Sequence, residues 1–222
     1  MSKEIDRVTV GDIETNCWLY ALEETAGSRP CVVIDPGDEA GLIMERLRQL
    51  NWVPRYIFLT HGHLDHLAAL PDLLEVLGKT ASAPLIGIHR LDAHYLGKGS
   101  LKAHRDSFTA AGGSPAYVDT LWKPMPDPDL LFEEGGAAGP FKILHLPGHT
   151  QGSVGLYDEK ARVLFSGDTL FKGDWGRTDL PGGNEAQIRQ SLGRIFLLDK
   201  DTVVCPGHGE ATTIGEEAGI GG

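Results

Sequence analysis

Thr60-His61-Gly62-His63-Leu64-Asp65-His66 follows directly on the apolar run Tyr56-Ile57-Phe58-Leu59, and its reading decides the fold. Three histidines and an aspartate within six positions offer imidazole nitrogens and a carboxylate, the donors that bind zinc and related divalent ions. Alternate side chains of an extended segment share a face, so His61 and His63 point the same way. A helix beginning near Asp65 would turn Asp65 and His66 towards a second point, and one short stretch would then supply two adjacent metal sites. A solvated polar loop is the plain alternative.

Composition bounds the rest. A chain of 222 residues is long enough for one large or two small domains with a substantial core. Hydrophobic residues at 41% and charged residues at 23% are ordinary for a soluble globular protein. The net charge of −11 argues against a nucleic-acid partner, and an anionic substrate would need locally placed cations or metals. Cys17, Cys31 and Cys205 are odd in number and widely separated, which speaks against a disulfide framework and for a reducing, cytoplasmic setting. The segment Met1-Ser2-Lys3-Glu4-Ile5-Asp6 has no apolar signal region, and no apolar run is long enough to cross a bilayer, so no membrane partner is expected.

The chain opens with short β-type runs, Val8-Thr9-Val10, Cys17-Trp18-Leu19-Tyr20 and Cys31-Val32-Val33-Ile34, the last two separated by a polar break at 23–28. Asp35-Pro36-Gly37 ends the third run, and Asp38 is the expected N-cap of a helix over 39–50, where Ile43, Leu47 and Leu50 recur at helical spacing. A second helix is expected over 67–77, with Pro71 in its first turns, followed by a buried strand at Leu85-Ile86-Gly87-Ile88. This alternation indicates an α/β fold. Residues 89–107 read as helical, with breaks at Gly112-Gly113-Ser114-Pro115 and at 123–128. The whole stretch 89–140 reads either as an insertion or crossover forming one wall of a substrate pocket, or as a surface excursion. A last amphipathic helix over 184–198 carries Ile188, Leu192, Ile195 and Phe196 on one face, with Asn184 and Gln187 spaced as a capping box.

Four apolar strands each run into candidate ligands. The run 56–59 leads to the cluster at 61–66, Phe141-Lys142-Ile143-Leu144-His145-Leu146 to Pro147-Gly148-His149, Arg162-Val163-Leu164-Phe165 to Ser166-Gly167-Asp168, and Thr202-Val203-Val204-Cys205 to Pro206-Gly207-His208. Sites in α/β folds form at the carboxyl ends of strands, so the ligands are expected to converge on one edge as a shared two-metal site.

These motifs together, with Gly176-Arg177-Thr178-Asp179-Leu180-Pro181-Gly182-Gly183, Thr15-Asn16-Cys17-Trp18 and Ile34-Asp35-Pro36-Gly37, resemble the metallo-β-lactamase-fold hydrolases, and within them the small glyoxalase II-like (hydroxyacylglutathione hydrolase-like) group. The resemblance covers nearly the whole chain outside about 89–135. It implies a four-layer αβ/βα sandwich, two mixed sheets flanked by helices, with 1–222 as one domain. It also implies two divalent ions, zinc foremost with iron or manganese as alternatives. His61, His63 and His149 would hold one ion, Asp65, His66 and His208 the other, and Asp168 would bridge them. A hydroxide between the ions would attack a thioester carbonyl of the S-lactoylglutathione type, with Asp65 and Asp168 as catalytic residues and Asp35 supporting a ligating histidine. Arg177 and Lys172 are the candidate contacts to a substrate carboxylate, although Arg177-Thr178-Asp179 also reads as a hydrogen-bonded turn. Classical members add a C-terminal helical region that holds glutathione, and this chain stops at Gly222 without one. The alternatives on the same fold are a mononuclear iron persulfide dioxygenase, a lactonase or β-lactamase, and a non-catalytic metal-binding module. Of the other residues, His145 reads as a core or supporting histidine, and His89, His94 and His104 as surface or locally hydrogen-bonded. Cys205 reads as packing and Trp175 as a pocket wall.

Overall fold

A computed structural model describes residues 4–23, 29–78 and 83–219. From residue 24 onward the expected break at 23–28 lies outside the described residues, as does the start of the N-terminal segment. The first half builds one sheet from β1 (Ile5–Val10), β2 (Thr15–Ala21), β3 (Arg29–Ile34), β4 (Trp52–Phe58), β5 (Leu85–His89) and β6 (Leu130–Phe132), side by side in that order. Three antiparallel strands lead and three parallel ones follow. Helices α1 (Ala40–Leu50), α2 (Leu70–Leu77), α3 (Ser100–Ala110) and α4 (Pro115–Leu121) lie between these strands in sequence. The second half supplies β7 (Ala137–Ala138), β8 (Phe141–His145), β9 (Val154–Asp158) and β10 (Val163–Gly167), then a small hairpin, β11 (Leu170–Phe171) and β12 (Asp174–Trp175). After α5 (Glu185–Ile195), β13 (Val203–Pro206) and β14 (Thr212–Thr213) complete a second six-stranded sheet, ordered β14-β13-β10-β9-β8-β7, and α6 (Ile214–Glu217) follows. Among the described residues no helix is long and apolar enough to cross a membrane.

The four layers follow from the two-residue period of strands. On β2, Cys17, Leu19 and Ala21 join the core shared with α1 and α2, whereas Trp18 and Tyr20 join the core between the sheets. On β3, Cys31 and Val33 take the first side and Val32 and Ile34 the second. The second sheet splits in the same way: Val163 and Phe165 face the first sheet, and Leu164 packs with Leu192 and Ile195 of α5. Both inner faces meet at an aromatic cluster in which Tyr20 stands edge-on to Phe141 and Phe165. Cys205 is a packing residue of this inner core, and all three cysteines are free and buried.

Several element boundaries differ from the sequence expectation. The cap of α1 is Glu39, in the left-handed region at φ 48°, rather than Asp38, whose carboxylate instead accepts the Glu39 amide. The helix expected near Asp65 is a single 3-10 turn, Leu64–His66, and α2 begins only at Leu70, with Pro71 in its first turn where a missing N–H costs nothing. The helix expected over 89–107 is divided: His89 ends β5, a tight turn occupies Ala93–Tyr95, and α3 starts at Ser100. Asn184 caps α5 by accepting the Gln187 amide, but the Gln187 side chain turns to Gln151, so only half of the expected capping box forms.

A buried side-chain pair ties the two sheets through the inner core. The Tyr20 hydroxyl donates to Asp158 Oδ2 at 2.5 Å with both groups buried, and burial followed by this bond raises the phenol well above its ordinary pKa. Tyr20→Phe should therefore lower the unfolding free energy by about 1.5–3 kcal/mol, because it strips a buried carboxylate of a donor. Urea denaturation with an unchanged m-value checks this.

Candidate metal centre

Each candidate ligand sits just past the carboxyl end of a strand, and the two sheets bring those ends together. His61, His63, Asp65 and His66 follow β4 of the first sheet. His149 follows β8, Asp168 follows β10 and His208 follows β13 of the second. The opening hairpin fixes the last of these loops: Asn16 Nδ2 donates to the Pro206 and Gly209 carbonyls, and Trp18 Nε1 donates to Pro206 as well. Gly207 is required here by space, since a Cβ at this position would overlap Asp168 Oδ1.

Four of the five histidines have their outer nitrogen committed to an acceptor. His66 Nδ1 donates to Asp35 Oδ2 at 3.1 Å, His149 Nδ1 to the Arg177 carbonyl at 2.8 Å and His208 Nδ1 to the Ile13 carbonyl at 3.1 Å. Thr60 donates both its amide and its hydroxyl to Asp35, so its oxygen is left to accept from His61 Nδ1 at 3.2 Å. A neutral imidazole has one N–H, so in its neutral form each of these rings can keep that proton on the outer nitrogen and turn a lone pair inward at Nε2. The bare nitrogens face one another and the two carboxylates. His149 Nε2 lies 2.8 Å from His63 Nδ1, and His66 Nε2 lies 3.3 Å from His208 Nε2. Asp65 Oδ2 is 3.2 Å from His66 Nε2 and 3.4 Å from His208 Nε2. Asp168 stands between the groups, with Oδ2 3.6 Å from His149 Nε2 and 3.5 Å from His208 Nε2.

These separations fit a divalent ion. Ligand nitrogens 2.0–2.1 Å from a tetrahedral ion stand roughly 3.3 Å apart, the spacing seen here. The sets His61/His63/His149, His61/His66/Asp168 and Asp65/His66/His208 each place one donor atom per residue within 4.8 Å of the others. His61 Nε2 and Asp168 Oδ1 are buried without a hydrogen-bond partner, an arrangement that costs free energy unless a cation answers it. The charges are strongly coupled: against its burial, Asp168 and Asp65 raise His66 well above its ordinary value, a positive charge that a bound cation would replace. Burial and the neighbouring rings depress His61, and burial with His149 depresses His63 to about 3. Against their own burial, Asp65 and Asp168 are held well below the usual carboxylate range by His66 and His208, and they in turn raise His208 to about 9.

Asp35, expected to support a histidine, does so, accepting three hydrogen bonds from a left-handed backbone at φ 53°. Sequence reasoning missed Asp92. This buried carboxylate accepts from the Gly62 amide at 2.9 Å, the Thr150 hydroxyl at 2.7 Å and the Gly152 amide at 2.8 Å, joining the His63 loop to the His149 loop. The tandem Arg90-Leu91-Asp92 gives no local sign of it. Arg177 contributes through its carbonyl to His149, while its guanidinium grips Asp179. Lys172 is paired with Glu210 and does not line the cavity over the site. Trp175 packs against the α5 side of the second sheet under Arg189, away from the cavity wall. His145 Nε2 donates to the Gln151 carbonyl in the His149 loop. His89 and His104 are buried rather than at the surface, His89 stacked on His145 and His104 bonded to the Tyr95 carbonyl, while His94 bonds the Leu91 carbonyl at an exposed position.

A cavity of about 660 Å³ opens over the centre. His63, Asp65, His149, Asp168 and His208 form its floor, and α3 and α4 supply one wall through His104, Ser107, Phe108, Ala111, Tyr117 and Leu121.

Residues 10–208 match the family model of the metallo-beta-lactamase superfamily. The hydroxyacylglutathione hydrolase GloC of Haemophilus influenzae is 32% identical over 214 residues, which are 96% of this chain and 94% of that one. Among solved structures, TTHA1623 in a di-iron-bound form superposes with a TM-score of 0.79 at 36% identity, covering 96% of this chain and 97% of that one. The B3 metallo-beta-lactamase BLEG-1 superposes at 0.77 with 32% identity and 96% coverage of both chains.

Asp35→Asn replaces an acceptor of the His66 and Thr60 protons by an amide and should weaken metal affinity by about 10–100-fold with the fold intact. Competition with a chelator, alongside circular dichroism, measures it. His104 carries a separate pH signature, since burial lowers it to about 4. The unfolded chain takes up a proton below about 6.5 while the folded chain does not until about 4. Its contribution is thus fully present above pH 6.5 and is lost as the pH falls towards 4. Urea unfolding at pH 7 and pH 5 should show a smaller acid loss in His104→Gln than in the parent.

Proposed function

Because the chain belongs to the metallo-beta-lactamase superfamily and carries a hydrolase-like divalent-metal centre, we propose that it is a thioester hydrolase with a two-metal site. His61, His63 and His149 would hold one ion, Asp65, His66 and His208 would hold the second, and Asp168 would reach both. The observation that carries this reading is the placement of Asp168 Oδ2, within 3.6 Å of a bare nitrogen from each group. When bound, such ions lower the pKa of water towards neutrality and supply positive charge to a carbonyl oxygen. Zinc, iron and manganese all suit imidazole with carboxylate, with zinc the first choice.

The residues divide the remaining work. Asp35, Thr60, Ile13 and Arg177 fix four imidazole rings by accepting their outer protons, so the ring nitrogens reach the centre without reorganisation. Asp65 is more open than Asp168, with 29% of its side chain exposed against 10%, and its carboxylate is placed to orient the attacking water. Thr15 Oγ1 donates to Asp65 Oδ2 at 3.4 Å and steadies it. Hydrolysis then adds water across the C–S bond, giving a carboxylic acid and a thiol. Thioesters are preferred over other acyl substrates on the likeness to the hydroxyacylglutathione hydrolase, and the partner is a small molecule.

Asp168→Ala should reduce bound metal from about two equivalents to below one and thioesterase turnover by on the order of 10³-fold. Elemental analysis and a thiol-release assay with S-lactoylglutathione read the two effects. Turnover retained in the variant would overturn the assignment, and cleavage of nitrocefin far ahead of any thioester would overturn the substrate class.

A further inference from the structure

Five large apolar side chains line the cavity and belong to none of the three hydrophobic cores: Ile13, Phe108, Leu121, Phe171 and Leu180. They come from five separate places, namely the β1–β2 turn, α3, α4, β11 and the loop before α5. Side chains that pack into no core yet converge on one concave surface over a reaction centre form the wall expected of an apolar ligand site. Ile13, 60% exposed, stands at the outer end of this apolar surface. The wall is braced across the opening. Phe108 stacks on Tyr117 with centroids 5.2 Å apart, and the Tyr117 hydroxyl donates to Asp12 Oδ2 at 3.0 Å, linking α4 to the β1–β2 turn.

The charges point the same way. Among the described lining residues, Arg177 is the one cation besides the histidines, and its Nε and Nη2 are taken by the two oxygens of Asp179 at 2.7 and 2.8 Å. The other charged groups away from the floor are Asp12 and Asp38, both acidic. A glutathionyl group brings two carboxylates and one ammonium. It would meet an arginine already paired with Asp179, two acids and a hydrocarbon wall.

Resting on the thioester reading above, we infer that the cavity selects thioesters by an uncharged, apolar acyl chain rather than by a glutathione moiety. The carbonyl sits at the metal centre and the chain runs along Phe108, Leu121 and Leu180 towards Ile13. A cavity of about 660 Å³ takes a medium-length chain together with a short neutral thiol.

The test uses the metal-loaded enzyme and a series of N-acetylcysteamine thioesters from acetyl to hexanoyl, with acetylglutathione and S-lactoylglutathione beside them. Burial of each methylene should raise kcat/KM by about fourfold while the wall is being filled. Acetylglutathione should not exceed acetyl-N-acetylcysteamine by more than about threefold. Leu180→Asp, which disturbs no core, should flatten the chain-length slope. A glutathione thioester that outruns hexanoyl-N-acetylcysteamine tenfold, or a slope unchanged in Leu180→Asp, would overturn this inference and leave the thioesterase reading standing. Failure to cleave any thioester would instead overturn the thioesterase reading. Calorimetry would then compare the hexyl thioether of N-acetylcysteamine with S-methylglutathione. Tighter binding of the hexyl thioether supports the apolar occupant, and equal or tighter binding of S-methylglutathione sinks it.

Discussion

The centre depends on one constraint: a histidine can offer a lone pair inward only if its single proton is held outward. Asp35 meets that requirement for two rings at once, directly for His66 and through Thr60 for His61. Carbonyls of Ile13 and Arg177 meet it for His208 and His149. Much of the architecture can be read as the means of delivering those four acceptors. The left-handed turn at Asp35 aims its carboxylate across β4, and the opening hairpin carries both the Ile13 carbonyl and the Asn16 amide that clasps the His208 loop. The segment at 176–183 presents a backbone carbonyl to His149 while its side-chain charges neutralise each other.

The second organising feature is the division of the ligands between sheets. The first sheet contributes the cluster after β4, and the second contributes one residue after each of β8, β10 and β13. The inner aromatic core of Tyr20, Phe58, Phe141 and Phe165 therefore sets the geometry of the centre from below, because it fixes how far apart the sheet ends stand. Asp92 does the equivalent from the side, holding the two histidine loops with three hydrogen bonds. A buried carboxylate with three donors is costly to disturb, so the loops are coupled rather than independent.

The ligands are legible in the sequence because each cluster breaks a strongly apolar run with imidazoles or carboxylates, and five of the seven stand beside a glycine, a contrast that survives without any structure. The layers were legible through the alternation on β2 and β3. What could not be read was whatever acts through tertiary contact alone. Asp92 stands in a stretch with no periodicity, and its donors lie 30 to 60 residues away. Arg177 drew attention for its charge, yet what reaches the centre is its carbonyl, which any residue type would supply. The turn at Leu64–His66 reads in the sequence as the start of a helix because three residues cannot distinguish 3-10 from α geometry by pattern. Residues 89–140 resisted reading for a related reason. Their helices are short, and α3 and α4 pack on each other and on the cavity more than on a core whose period would show.

That last property reaches beyond this molecule. The large side chains that border the cavity at 13, 108, 121, 171 and 180 are not the ones that carry the fold, although Val10 and Leu64 serve both. Selection on one need not trouble the other. A lineage built on this plan can exchange the residues at 13, 108, 121 and 180, or lengthen the α3–α4 hairpin, while its sheets and its imidazole cluster stay as they are.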